Sequence, residues 1–206
     1  MSKERTERGW RGTPDLWLDA AYGLLVEGGV EAVKVMPLAD RLGLSRTSFY
    51  WHFPDREALL AGLVARWQAK NTGNLVARCE AAAATITAAL LNLFDCWYDD
   101  ALFDSRLEFA MRTWSLTDPS VAAAMSAADA ERVAAITALF RRFGYSETEA
   151  DTRARTLYLT QVGYIALRSE ESLEVRMGRN PSYVLTFSGT LPSETEVAAF
   201  RARHIR

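Results

Sequence analysis

The sequence predicts an all-α fold on two observations. Apolar residues recur at helical spacing along most of the chain, and Gly, Pro and capping residues separate these runs. Almost no segment has the alternation and β-branched content of a strand. We expect a three-helix N-terminal domain over residues 10–70 and a larger helical domain over residues 71–206.

The first helix is predicted from its two ends. Thr13-Pro14-Asp15 has the residue types preferred at the N-cap and the first two helical positions, and Gly28-Gly29 ends the helix. The apolar positions between them are helically spaced: Leu16, Ala20, Leu24 and Leu25. Lys34-Val35-Met36-Pro37 opens the second helix, where Pro37 fits a first turn and no cap is assigned.

Two further helices follow from local signals. Gly43 can take the left-handed conformation that ends a helix, and Ser45 can cap the next one, which we predict over Ser45–Phe53. Asp55 is the next candidate cap, with Glu57 in the positive end of the helix dipole. An amphipathic pattern then continues through Leu59, Leu60, Leu63, Val64 and Trp67.

The short helix after Ser45 has two different faces. At 100° per residue Phe49 and Phe53 fall together, which predicts an apolar anchor. The adjoining arc carries a guanidinium, hydroxyls and an indole donor, from Arg46, Thr47, Tyr50 and Trp51. Such groups are suited to binding DNA.

The segment Leu38–Phe53, followed by Asp55-Arg56-Glu57-Ala58-Leu59-Leu60, resembles the helix-turn-helix of TetR transcriptional repressors. The resemblance rests on Ala-x-x-x-Gly-Leu-Ser, on Phe-Tyr-x-x-Phe and on the acidic-basic-Glu-Ala-Leu start of the next helix, and it covers residues 10–70. These proteins usually carry a Thr before the second helix, whereas this chain has Lys34-Val35-Met36-Pro37. The resemblance implies a homodimer that binds a palindromic operator and is released by a small effector.

Candidate DNA contacts follow from this motif. We assign base readout to Arg46 and Thr47, because the N-terminal residues of a recognition helix lie deepest in the major groove. His52 either reaches a phosphate or braces two helices. Arg56 either holds a phosphate or pairs with neighbouring acidic residues. Trp51 either contacts the DNA backbone or packs partly in the core. The remaining candidates for phosphate or sugar contact are Ser45, Ser48, Tyr50 and Trp51.

Charge alone does not predict DNA binding. Residues 1–70 hold ten Lys and Arg against nine Asp and Glu, or +1, which leaves −3 for the rest of a chain with net charge −2. The motif must therefore carry the prediction. An N-terminal basic arm either follows the duplex backbone or is a solvated disordered tail, and it comprises Lys3, Arg5, Arg8 and Arg11.

Residues 71–206 predict further helices and an irregular segment. An Ala-rich helix runs to Trp97, and the next covers Leu102 to Trp114. Two long helices over 119–143 and 147–167 begin at Asp118-Pro119 and at a Ser146-x-x-Glu149 capping box. Pro181 to Pro192 reads as irregular chain, and Ser193-x-x-Glu196 opens a last short helix.

The resemblance implies that helices 119–143 and 147–167 form a four-helix bundle with a second subunit; intrachain packing is the alternative. Side chains that mix large apolar surface with polar tips could line a pocket for an apolar or aromatic effector. They are Phe94, Trp97, Phe109, Trp114, Tyr158, Gln161 and Tyr164, and ordinary core is the favoured alternative. An activator, or a helical ligand-binding protein that does not repress, also fits the motif.

Other classes of protein find little support in the sequence. Neither His52 nor His204 belongs to a metal-ligand or catalytic pattern, and no phosphate-binding Gly-rich loop occurs, so we expect neither an enzyme nor a bound metal or cofactor. Cys79 and Cys96 are predicted to be buried, reduced thiols, with a redox switch as the alternative. Without a membrane-length apolar run or a secretory signal, the expected location is cytoplasmic.

Overall fold

The computed structural model describes residues 11–205, and this part of the chain is helical without a β-strand, which confirms the predicted all-α class. Contacts divide the chain into two compact units. The first ends at Arg66 and the second begins at Trp67, a few residues before the predicted boundary at Lys70. Lys3, Arg5 and Arg8 of the predicted basic arm lie outside the described residues.

Four helices build the first unit: α1 Pro14–Gly28, α2 Val35–Leu42, α3 Arg46–Phe49 and α4 Arg56–Trp67. The predicted caps are confirmed, since Thr13 accepts from the amide of Leu16 at 3.2 Å and Asp55 from that of Ala58 at 2.7 Å. Gly43 ends α2 in the left-handed region at φ 64°. At the start of α2 the side chain of Lys34 makes no capping hydrogen bond.

Helix α3 is shorter than the predicted Ser45–Phe53. It begins with Ser45 as N-cap and ends at Phe49, after which a tight turn leads to Phe53. The amides of His52 and Phe53 both donate to the carbonyl of Phe49, at 2.9 and 3.0 Å. Pro54 disfavours the α conformation at Phe53, which opposes continuation of the helix through that residue.

Aromatic side chains form the core under α3. Phe49 is fully buried, meets Trp17 of α1 edge-on at 5.4 Å between ring centroids and stacks on Phe53 at 5.6 Å. The predicted pairing of Phe49 and Phe53 is confirmed. Leu38 of α2 and Leu59 of α4 are also buried, so the inward face of α3 is tied to the rest of the unit.

The second unit starts with a π-helical stretch over Gln68–Gly73 and includes a 3₁₀ turn over Asp95–Trp97. Its helices are α5 Asn74–Glu80, α6 Ile86–Phe94, α7 Ser105–Ser115, α8 Pro119–Arg142, α9 Glu147–Ala166, α10 Leu173–Ser188 and α11 Glu194–His204. Helix α8 is central and packs on α5, α7 and α9. Its buried residues are Val121, Met125, Ala128, Arg132, Ile136, Leu139 and Phe140.

The prediction of irregular chain from Pro181 to Pro192 is wrong for its first part. Helix α10 continues through Pro181 to Ser188. Proline removes one helical hydrogen bond, but tertiary packing outweighs this loss, because Met177, Val184 and Phe187 are buried on both sides of it. The helix ends where Gly189 adopts the left-handed region at φ 77°.

Both cysteines lie in the core of the second unit as free, buried thiols, as predicted. Burial raises the pKa of Cys96 to about 12 and also raises that of Cys79. Deprotonation of either thiol is therefore strongly disfavoured, which argues against the alternative of a thiolate-based redox switch. Within residues 11–205, none of the helices has the length and apolar character needed to cross a membrane.

Candidate nucleic-acid interface

The outward face of α3 presents polar and aromatic side chains to solvent. Ser45, Arg46 and Thr47 are exposed at its first turn, and Tyr50 follows with 44% of its surface accessible. Nη2 of Arg46 donates to the Tyr50 hydroxyl at 3.1 Å. This contact keeps a guanidinium and a hydroxyl together on the exposed side of the helix.

Trp51 extends this face rather than packing in the core. Its side chain is 61% exposed, and the guanidinium of Arg11 lies 3.6 Å above the centre of its ring. The distance is typical of a cation–π contact. Arg11, which we predicted only as part of a basic arm, therefore lies directly beside the candidate DNA-binding residues.

Ser48 and His52 have structural contacts. Ser48 is only 8% exposed and shares a hydrogen bond of 2.9 Å with the Ser45 hydroxyl, so it is not on the outward face where we expected it. The ring Nε2 of His52 lies 3.2 Å from the Arg11 carbonyl, which also accepts from the indole of Trp17. The contact ties the turn after α3 to the residues before α1 and does not join two helices, and the predicted phosphate contact of His52 stays a prediction.

Arg56 has a role that we did not foresee. Its Nε donates to the Val33 carbonyl at 2.6 Å and its Nη2 to the Val30 carbonyl at 2.8 Å, while Nη1 is 3.8 Å from Glu57. The side chain thus fastens a 3₁₀ turn over Val30–Ala32, which precedes α2, onto the start of α4. Both carbonyls lie far from Arg56 in the sequence. The residues around Arg56 therefore contain no pattern that predicts this contact.

The residues predicted to bind an effector fall into separate contacts in the second unit. Phe94 and Trp97 belong to one row of aromatic rings, which continues through Phe187 and Tyr183 to Tyr164. The indole nitrogen of Trp97 is buried and has no hydrogen-bond partner within the described chain. Elsewhere, Phe109 lies under the Arg168 guanidinium, Trp114 is buried and Gln161 is half-buried.

Tyr158 belongs to a buried ionic cluster that sequence reasoning missed. Glu108 and Arg132, both with fully buried side chains, form an ion pair of 2.8 Å. Glu108 also accepts from Trp67 and Asn71, at 2.7 and 2.9 Å, and forms an ion pair with Arg112 at 2.9 Å. We call this set, together with Asp129 and Tyr158, the Glu108 cluster. Helical periodicity predicts apolar residues at inward positions, so nothing in the pattern reveals that a glutamate and an arginine occupy two of them.

The cluster holds Glu108 ionised. Burial alone would raise the pKa of its carboxyl group, but the charge and hydrogen bond of Arg132, and then the charge of Arg112, outweigh burial and lower that pKa below its usual value. Tyr158 is affected in the opposite direction, since burial raises the pKa of its hydroxyl and keeps it a donor. It donates to Asp129 at 2.5 Å and accepts from Arg132 at 3.0 Å.

Acid is expected to destabilise the protein through Glu108. Because its pKa is lower folded than unfolded, ionised Glu108 stabilises the fold above the unfolded value of about 4.3, and this contribution is lost as pH falls through the folded value. Urea unfolding between about pH 5 and pH 3 should show a steeper loss of stability for the wild type than for Glu108→Gln. Parallel pH profiles would contradict the assignment.

The groove between α8 and α9 has a volume of about 660 Å³, and of the seven predicted effector residues only Tyr158 lines it. Small and charged residues form most of its walls, which is why a search for aromatic side chains overlooks it. No group of three or more His, Cys, Asp or Glu side chains within residues 11–205 is placed to hold a metal ion.

Comparison with known proteins identifies the first unit. Residues 18–63 match the family described as bacterial regulatory proteins, tetR family. The first unit therefore resembles the N-terminal domain of the TetR family. The tetracycline repressor protein class A from transposon 1721 of Escherichia coli is 37% identical over 67 residues, which are 32% of this chain and 31% of the repressor. The class D repressor of Escherichia coli is 35% identical over 54 residues, 26% of this chain and 25% of that protein. The matches thus span a third or less of these relatives.

Solved structures extend the likeness in fold to nearly the whole chain. GusR of Salmonella enterica superposes with a TM-score of 0.63 at 16% identity, covering 98% of this chain and 99% of GusR. A putative TetR-family regulator from Mesorhizobium loti gives 0.59 at 15% identity, covering 92% and 95% of the two chains. At such identities these neighbours show the fold alone.

Proposed function

We propose that this protein is a TetR-family, sequence-specific DNA-binding regulator that represses transcription and is released by a small effector. One observation carries the proposal: the exposed face of α3 presents Arg46, Thr47 and Tyr50, while Phe49 anchors the opposite face in an aromatic core. A recognition helix needs such a face, because base edges are read by side chains held in a defined register.

Arg46 and Thr47 are the proposed base-reading residues. They occupy the first two positions of α3, and the N-terminal residues of a recognition helix approach the base edges. Arginine can donate two hydrogen bonds to guanine, and the methyl group of threonine can contact thymine. Ser45, Tyr50 and Trp51 are placed for phosphate or sugar contact, and Arg11 beside Trp51 adds a cation to that side.

Arg56 and Ser48 are not retained as DNA contacts. Two nitrogens of Arg56 are engaged by backbone carbonyls, and the Ser48 hydroxyl is buried against Ser45. We assign to both the role of holding the turns that position α3. His52 joins them through the Arg11 carbonyl.

We further propose that the regulator acts as a homodimer. The predicted partner helices were 119–143 and 147–167; the large apolar side chains of α8 are mostly buried in its own unit, and its exposed apolar positions are alanines such as Ala130, Ala134 and Ala138. Exposed aliphatic side chains instead lie on or next to α9 and α10, at Leu167, Val175 and Leu185. These exposed side chains are the basis on which we propose self-association through α9 and α10. A twofold dimer requires an approximate palindrome with half-sites about 34 to 36 Å apart, or a multiple of that distance.

The proposed effector acts by linkage. A ligand that binds better to the dimer when its DNA-binding units are mis-spaced lowers the affinity for operator, and operator lowers the affinity for ligand by the same factor. Reciprocal titrations therefore test this part of the proposal. A ligand that binds without changing operator affinity is not the effector.

The DNA-binding proposal is tested with an operator selected from a random duplex pool. Arg46→Ala and Thr47→Ala should each weaken binding to the selected sequence by about 10- to 100-fold, while binding to unrelated DNA changes far less. Gel shift or fluorescence anisotropy at fixed salt measures both. Arg66→Ala is the matched control, because Arg66 is an exposed cation of the same unit that pairs with Asp19 at 2.5 Å.

Two outcomes would contradict the proposal. Unchanged operator selectivity in both variants would reject α3 as the reading helix. A single half-site that binds as tightly as the full palindrome would reject the dimer. Circular dichroism of each variant separates these outcomes from unfolding.

A further inference from the structure

The groove between α8 and α9 has the size of a ligand site. Its volume of about 660 Å³ lies within the range of about 300 to 1,000 Å³ that is usual for small-molecule pockets. Small and aliphatic side chains line much of it: Ala130, Val133, Ala134, Ala138, Leu159 and Val162. A ligand with an apolar body could lie on this floor and remove its surface from water.

The charges around the groove favour an anion. Arg112 is paired with Asp129 at 2.6 Å, and Arg155 with Asp151 at 2.9 Å. Arg141, the fifth charged residue of the lining, makes no side-chain hydrogen bond or ion pair within the described part of the chain. The lining therefore has one positive charge in excess, beside an apolar surface.

We propose that this groove binds a small organic acid, with its carboxylate on Arg141 and its apolar body on the alanine floor. Guanidinium and carboxylate match as bidentate partners, and one unpaired arginine suits one carboxylate better than a doubly charged phosphate. In a twofold contact through this face, a second copy would present the same residues and the same excess positive charge. Charge complementarity thus favours a ligand over a second subunit as the occupant.

One end of the groove adjoins the Glu108 cluster. Arg112, Asp129 and Tyr158 line the groove, and the Tyr158 hydroxyl accepts from Arg132, which donates to Glu108. Glu108 in turn accepts from the indole of Trp67, the last residue of α4. A ligand at this end of the groove would lie beside Arg112 and Asp129, the partly exposed members of a hydrogen-bond network that includes Trp67. The assignment of this ligand as the effector rests on the proposed function; the site itself does not.

Isothermal titration calorimetry of the full chain tests the site with hexanoate and benzoate, and with hexanamide and benzamide as uncharged counterparts. At least one acid should bind at least tenfold more tightly than its amide, and Arg141→Gln should remove that difference. Arg142→Gln is the matched control, since Arg142 points to the carbonyls of Glu80 and Ala81, at 3.4 and 3.3 Å, and does not line the groove. Equal binding of acids and amides, full binding by Arg141→Gln, or no binding of either acid would overturn the proposal.

Filling the groove tests the position of the ligand. Ala134 is an exposed residue of its lining, so Ala134→Phe should abolish acid binding without unfolding the protein. Ala123→Phe adds the same bulk at an exposed α8 position outside the lining and should bind normally. Light scattering measures the mass of both variants. A change of oligomeric state in Ala134→Phe alone would overturn the proposal in favour of an interface between copies.

Operator binding separates this inference from the proposed function. If an acid binds the groove and operator affinity is unchanged, the site stands and its role as effector site fails. If the protein has no operator at all, the proposed function fails while the calorimetric result for the groove remains valid.

Discussion

Replacing Glu108 with leucine is expected to lower the free energy of unfolding by about 3 to 5 kcal/mol, the usual cost of leaving the partner of a buried ion pair without its counter-charge. Arg132 has no solvent exposure and depends on Glu108 for its ion pair of 2.8 Å. The indole of Trp67 would lose its acceptor as well, and the side-chain nitrogen of Asn71 would keep only the Asp104 carbonyl. Urea unfolding followed by circular dichroism measures the loss.

A double variant distinguishes a buried charge left alone from simple loss of packing. Glu108→Leu with Arg132→Met removes both charges, so we expect it to lose markedly less stability than the sum of the two single changes. Asp151→Asn is the control, because it breaks an exposed pair with Arg155 and should cost less than about 1 kcal/mol. Additive losses, or a Glu108→Leu effect as small as that of the control, would contradict the role of the cluster.

Replacing Phe49 with alanine is expected to destabilise the first unit by about 3 to 5 kcal/mol, as large-to-small changes at fully buried aromatic positions do. Its ring contacts Trp17 of α1 and Phe53 after α3, and no solvent reaches it. A unit of this size has little stability in reserve. Operator binding should therefore be lost, although no proposed DNA contact has been changed.

Tyr50→Phe is the control variant for Phe49→Ala, because it changes the neighbouring aromatic residue. It removes the hydroxyl that accepts from Arg46 but leaves an exposed aromatic ring in place, so stability should stay within about 0.5 kcal/mol of the wild type. Thermal unfolding and operator binding measured together separate the two variants. If Phe49→Ala kept operator affinity and melting temperature, the aromatic core would not be what positions α3.

Sequence signals located the starts of α1, α3 and α4 and the ends of α1 and α2, because each signal acts over a few residues. Thr13, Ser45 and Asp55 cap as predicted, since each accepts a hydrogen bond from an amide three positions ahead. Gly43 ends α2 because its backbone takes a positive φ at little cost. The same local logic failed at Pro181, where packing of the surrounding helix outweighed one missing hydrogen bond.

The candidate DNA-binding face was predictable to the extent that it is a helix face. Arg46 and Thr47 of α3 and Tyr50 and Trp51 after it are exposed together, as the helical pattern predicts, although α3 itself ends at Phe49. Periodicity says nothing about long-range partners. Arg56 reaches carbonyls more than 20 positions away, so only the folded chain reveals its contacts.

By itself, the sequence determined the helical class, the positions of the caps and the division of the short helix into an apolar and a polar face, because these features depend on neighbouring residues. Only the tertiary structure decided that Glu108 and Arg132 form a buried pair, that α10 runs through Pro181, and that a charged groove lies between α8 and α9. Each of these brings together residues far apart in the chain, and the energy of such contacts appears only when the helices pack.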